Sequence, residues 1–150
     1  MCPLKETYEH DTGDVADDTR QKDATMELRL VRMKDIQTCG KIMYEAFRDI
    51  SRRHNFPPDF QHPEMAVGLM NYILSDSTSY SVIAEADGQI VGSNFLWQQG
   101  LMAGVGPITI NPTFQNASAG RRLMEDVLLQ AEKLQLAAVR LVQAAYHNRS

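Results

Sequence analysis

Cysteine is scarce in this chain: two in 150 residues, Cys2 and Cys39. They lie far apart in unlike sequence. That leaves no disulfide framework and no metal-binding spacing, and it fits a reducing compartment. No apolar run reaches the roughly 20 residues of a membrane-spanning helix. The N-terminus is acidic and polar, without the basic start and apolar centre of a signal peptide. A cytoplasmic protein, with neither membrane nor nucleic-acid partner, is the resulting expectation. Several catalytic signatures are also missing. There is no Gly-x-Ser-x-Gly elbow of a hydrolase, no Gly-Lys-Ser/Thr phosphate loop and no Gly-x-Gly-x-x-Gly. The four histidines do not pair at metal spacing, so no metal is expected. The single tryptophan, Trp97, lacks the basic groove of a nucleic-acid stacking platform and reads as core or pocket wall. Finally, charge is absent from Gly88 to Gly120, a stretch that holds six of the nine glycines. Such a stretch suits a sheet whose working surface is backbone, or simply a buried sheet.

What is present divides unevenly. Residues 1–26 carry seven Asp/Glu against three Lys/Arg and no sustained apolar period, which reads as a disordered acidic tail. Residues 27–150 carry twelve of each sign and form one domain of a size that can bury a core. Residues 27–34 alternate as a strand, with Leu28, Leu30 and Arg32 on one face. Asp35 is expected to cap a helix that runs to about residue 52 on Ile36, Cys39, Met43, Ala46, Phe47 and Ile50. Cys39 packs in it as a small hydrophobe. Pro57-Pro58 keeps residues 53–63 in a loop. A second helix spans about Glu64 to Leu74, with Met65, Leu69, Met70, Ile73 and Leu74 as its apolar side. Tyr80–Ala86 and Gln89–Gln98 form a hairpin over Asp87-Gly88. Leu101–Ile110 is the next strand, in which Gly104 and Gly106 mark a bulge or a close backbone approach. Ala137–Ala145 is expected to be a buried strand.

The organising stretch is Ala103 to Leu134: strand, Pro112 turn, glycine-containing loop, helix. Leu123, Met124, Val127, Leu128, Ala131 and Leu134 give that helix one apolar face. Backbone amides at a helix N-terminus attract anions. Arg121 and Arg122 lie in the first turn, where the helix dipole disfavours cations by roughly 0.3–1 kcal/mol each. A bound phosphate reverses that sign; solvation of both arginines is the alternative.

The run INPTFQNASAGRRLMEDVL resembles motif A of the GNAT superfamily, the acyl-CoA-dependent N-acyltransferases: a hydrophobic strand, a proline, then Q/R-x-x-G-x-G/A opening a helix. Gln115, Gly120 and Arg121 to Leu123 match. Ser118 stands where the first glycine is expected, and Ala117 and Ala119 fill variable positions. The serine can offer its amide, and its hydroxyl can bind phosphate or cap the helix. The order of elements over residues 27–150 is also similar to that family through its fifth strand. The resemblance implies an α+β fold, a mixed and mostly antiparallel central sheet flanked by helices. It implies acetyl-CoA as acyl donor and a primary amine of a small molecule or protein as acceptor. Gln115, Asn116, Ala117, Ser118, Ala119, Gly120 and Arg121 would hold the pyrophosphate, and the amides of Ile108 and Ile110 the pantetheine and carbonyl. Asn148 fits the leading asparagine of the next helix, which in the family contacts CoA. The family tyrosine would fall about seven residues later, so the resemblance implies that this helix and the last two strands are missing. A homodimer or a partner segment would then complete the sheet.

The base is not specified by the strand before motif A, since residues 101–110 hold neither Glu nor His. Glu85, His54 and His62 are the candidates, with Asp59 beside them, each also readable as a solvated residue. A water relay or an amine arriving neutral would remove the need for a dedicated base. A non-catalytic acyl-CoA-binding or scaffolding module is the rival reading.

Overall fold

A computed structural model describes residues 26–114 and 118–143. The chain order is β1 (Met26–Leu30), α1 (Ile36–Arg53), α2 (Pro63–Ser75), β2 (Ser79–Ala86), β3 (Gln89–Gln99), β4 (Met102–Val105), β5 (Thr109–Ile110), α3 (Ala119–Lys133) and β6 (Ala138–Leu141). One mixed sheet runs β1-β2-β3-β4-β6, and β5 continues alongside β3 beyond β4. Every pairing is antiparallel except β4 with β6. This is the α+β arrangement expected from the sequence.

Helices cover both faces of the sheet. On one face Leu123, Val127 and Ala131 of α3 pack on Val82, Ala84 and Leu96. On the other, Ile36, Cys39 and Met43 of α1 and Ala66, Met70 and Ile73 of α2 pack on Ile83 and Phe95. Gly40 sets the approach of the two helices, because a Cβ there would lie 2.8 Å from the Val67 Cα. The apolar stripes are narrower than the periodicity implies: Met65, Leu128 and Leu134 are largely exposed. The core-facing stripe of a surface helix need be only about 100° wide.

Four other expectations are corrected. The first strand ends at Leu30, four residues early, because a 3-10 turn over Met33–Asp35 follows it. Leu28 packs beneath α3, whereas Leu30 is exposed. Asp35 makes no capping bond to α1. Its carboxylate instead accepts the Arg32 N–H at 2.8 Å and both terminal nitrogens of Arg29 at 2.7 and 3.2 Å. Of the strand expected over 137–145, the described residues form Ala138–Leu141, which is mostly exposed rather than buried; residues 144 and 145 lie outside the described residues. The strand expected over 101–110 is two strands, β4 and β5, with an interruption that shapes the site below. Of the tail expected over residues 1–26, residues 1–25 lie outside the described residues, and Met26 belongs instead to β1, paired with Ala86.

Candidate functional site

The interruption is a one-residue change of register. Along β4, Leu96 faces Val105 and Trp97 faces Gly104; along β5, Gly92 faces Ile110 and Ser93 faces Thr109. One extra residue therefore sits in Gly106–Ile108, a β-bulge, where the Gly106–Pro107 peptide is cis. The bulge breaks the ladder bond of Phe95, and side chains repair it. Phe95 N–H donates to Asn94 Oδ1 at 2.9 Å, and the Gly106 carbonyl accepts the Trp97 indole N–H. Asn94 is fully buried, and its amide nitrogen donates to the Leu123 carbonyl of α3 at 3.3 Å. A buried polar side chain needs such partners, and here they tie the bulge to the helix.

The bulge also re-phases the backbone. Before it, Met102 and Gly104 share the Trp97 face; after it, Thr109 takes that face and meets Ser93 Oγ at 3.1 Å. Ile108 and Ile110 then turn to the α3 side. The Asn111 N–H donates to the Val91 carbonyl at 2.8 Å. Since alternate residues of an antiparallel strand bond the same neighbour, the Ile110 N–H points away from β3, and Ile108 shares its phase. On that far side β5 has no strand partner among the described residues, because β6 follows β4 only as far as Val105↔Leu141. Among the described residues, an opening in the strand pairing results between β5 and the end of β6, bordered by the Ile110 amide.

The N-terminus of α3 lies next to it. A Cβ on Gly120 would sit 3.7 Å from Ile110 Cγ1, so these two predicted residues are neighbours. Ser118 has φ 58° and ψ 0°, the left-handed conformation that suits glycine. Its hydroxyl makes no capping bond, contrary to one expectation. Ala119 is buried. The two arginines differ. Arg121 is exposed and pairs with Glu125 at 2.8 Å, which raises its pKa. Arg122 reaches across to β1 and donates to the Met26 carbonyl at 2.7 Å. Gln115, Asn116, Ala117 and Asn148 lie outside the described residues. Gly92 is the glycine that packing demands here: a Cβ would meet Ile110 Cδ1 at 2.5 Å and the Thr109 carbonyl oxygen at 2.7 Å.

The candidate bases are scattered. Glu85 accepts Arg29 Nε at 2.6 Å on the β1 side of the sheet, two strands from β5. His54 ends α1, its backbone N–H donating to the Ile50 carbonyl. His62 precedes α2, its Nδ1 3.0 Å from Glu64 Oε2. Asp59 accepts the Ser51 hydroxyl at 3.1 Å. None of the four lines the opening. Burial pushes the Cys39 thiol up to about 12, so it is no nucleophile at neutral pH.

A cleft on the Trp97 face of the sheet runs along β4 as far as Gly106, where the bulge begins. Trp97, Met102, Gly104, Val105, Gly106 and Arg140 line it. Of these, the glycines were legible as a bulge or a close approach and Trp97 as a pocket wall. Arg140 was missed, because nothing in AAVRLVQAA distinguishes a cleft residue from an exposed one. Among the described residues no three His, Cys, Asp or Glu are arranged to hold a metal ion, and no helix is long and apolar enough to cross a membrane.

The same architecture recurs in solved structures. A GNAT acetyltransferase from Brucella melitensis, in complex with acetyl-CoA, superposes with a TM-score of 0.63 at 20% identity, covering 84% of this chain and 81% of that one. The PaiA N-acetyltransferase from Thermoplasma acidophilum, in complex with coenzyme A, gives 0.66 at 15% identity, covering 82% of each chain. Glucosamine-6-phosphate N-acetyltransferase from Arabidopsis thaliana gives 0.56 at 13% identity, covering 81% of this chain and 84% of that one. No curated relative matches by sequence. The sequence model of the acetyltransferase (GNAT) family matches residues 42–150, which is most of the chain. With the fold and the match in agreement, the chain belongs to the GNAT acetyltransferase family.

Proposed function

We propose that this protein transfers an acetyl group from acetyl-CoA to a primary amine. The observation that carries the reading is the re-phased backbone at Gly106–Ile108, which turns the Ile110 amide toward an opening beside the N-terminus of α3. Acyl transfer from a thioester needs orientation, a donor for the developing oxyanion and a route for one proton. The amides of Ile108 and Ile110 supply the donors for the pantetheine and the thioester carbonyl. The segment from Gln115 to Gly120, the α3 dipole and Arg121 hold the pyrophosphate, and Asn148, matching the family asparagine, adds a contact to CoA. Bound acetyl-CoA supplies the activated acetyl group. The amine attacks from the cleft on the opposite face. Glu85 is engaged by Arg29, and His54 and His62 sit at helix ends outside the cleft lining. None of these described residues serves as the base, and the attacking amine arrives neutral or first loses a proton to water. As its nitrogen bonds the acetyl carbon the C–S bond breaks, and the proton left on nitrogen passes through water to the departing CoA thiolate.

One observation favours the rival reading of a non-catalytic acyl-CoA-binding module: Ser118 holds a left-handed conformation that opposes its Cβ. Thermal unfolding with acetyl-CoA, followed by thiol release on adding amines, separates the two. At about a hundred times its dissociation constant a ligand adds roughly 2.7 kcal/mol. A raised midpoint that falls back in Arg121→Ala, with thiol released, supports transfer. A raised midpoint without thiol release from any amine favours the binding module, and no shift removes both. Arg122 is unsuited to this test, since its loss would also free β1.

A further inference from the structure

The cleft has a composition that its neighbours do not share. Its row across the sheet is Trp97 on β3, Gly104 on β4 and Arg140 on β6, paired in register. Residues paired across strands share a face, so the indole and the guanidinium stand on either side of a position with no side chain. A Cβ on Gly104 would meet nothing within 4 Å, so the space over it is open. Met102 and the re-phased Gly106 close the two ends of the floor. Arg140 is the sole charged residue among those lining the cleft. Arg140 is exposed, and among the described residues no carboxylate pairs with it, whereas the half-buried arginines, Arg29 and Arg122, are each committed to a partner.

We propose that this cleft selects amines carrying an anionic group, a carboxylate or a phosphate, which Arg140 binds while Trp97 and Met102 hold the apolar body. The inference rests on the acyl-transfer reading for the position of the amine, which points along β4 toward Gly106. Gly106 is two residues from Gly104, about 7 Å along the strand, and an arginine side chain spans that order of distance. A cationic residue in an acceptor cleft disfavours polyamines, whose second ammonium it would repel. Its planar donors suit the two oxygens of a carboxylate or phosphate.

Trp97 is the only tryptophan, so intrinsic fluorescence reports the cleft without requiring turnover. The full chain, with and without coenzyme A, is titrated with two matched pairs: L-leucine against 3-methylbutylamine, and phosphoethanolamine against ethanolamine. The expected result is a saturable change with at least one anionic member, its affinity about tenfold or more above the neutral-headed partner. Preference for leucine assigns a carboxylate, and preference for phosphoethanolamine a phosphate. The change is lost in Arg140→Gln and in Gly104→Val, whose added carbons enter the open space. Equal response to both members of each pair, no response to any, or an undiminished response in Arg140→Gln overturns the proposal. Acetyl-CoA binding, followed separately by thermal shift, tells this failure from that of the transfer reading. A leucine response without an acetyl-CoA shift leaves the anion site standing and removes acyl transfer. The opposite pattern does the reverse.

Discussion

The sheet has two edges, and each carries an arginine put to a different use. At the β1 edge, Arg29 binds Asp35 at 2.7 Å and Glu85 at 2.6 Å, with all three groups largely withdrawn from water. The pair raises the Arg29 pKa and, chiefly through the Arg29 hydrogen bond, holds the Asp35 carboxyl below its ordinary value of 3.8. At the β6 edge, Arg140 is exposed beside a glycine floor. A charge spent on its own fold stiffens it; a charge left over is one that a ligand can use. The difference follows from neighbours in sequence. Asp35 and Glu85 lie where the chain turns back on β1, whereas Gly88 to Gly120, which builds the middle of the sheet, holds no carboxylate.

The contrast breaks most sharply at Arg29. Arg29→Ala leaves the buried Asp35 carboxylate without its partner and should cost about 3 kcal/mol in urea unfolding, while Arg140→Gln stays within about 0.5 kcal/mol of the parent. Equal losses would mean that both arginines are structural. Next in size is pH. A depressed carboxyl pKa gives stability that is present above pH 3.8 and lost as pH falls through the folded value. Unfolding free energy measured from pH 6 to pH 2 should therefore fall more steeply in the parent than in Asp35→Asn. On the open side, Ser118→Gly relieves the left-handed serine and should raise stability by about 0.5–1 kcal/mol, with tighter acetyl-CoA binding in the same thermal scan. A loss of stability would show that the hydroxyl has a role its geometry does not reveal. The smallest effect is Gly104→Ala: within about 0.5 kcal/mol of the parent in the same urea titration.

Most of the fold was legible in the sequence because its signals are local. The hairpin over Asp87-Gly88 needs residues that tolerate positive φ, and both positions have it. Leu123, Val127 and Ala131 recur at four-residue steps and are buried at those steps. Motif A was legible through Gly120 and the periodic helix after it. What could not be read depends on pairing at a distance. Asp35 reads as a cap in sequence because the partner of its carboxylate, Arg29, lies in a strand whose twist and exit turn no local pattern announces. Leu128 and Leu134 match the helical period yet are exposed, because the buried stripe is the narrower row Leu123, Val127 and Ala131, and Leu134 lies past the last residue of α3. Arg140 faces a cleft only by virtue of its register with Gly104, and parallel registers leave no mark in sequence.

The bulge at Gly106–Ile108 has a consequence for how the chain tolerates changes of length. Loops usually absorb the gain or loss of one residue. This strand can absorb one such loss, because between Val105 and Thr109 it already carries one residue more than β3 does. Deleting one residue between Gly106 and Ile108 would restore unbroken alternation from Met102 to Ile110. Thr109 would still meet Ser93, and both isoleucines would still lie on the α3 side. Straightening the strand with the residue kept is what would turn the Thr109 hydroxyl into the apolar layer under α3. The extra residue thus acts as a comma in the strand: scaffold is written before it, and groups offered to a ligand after it.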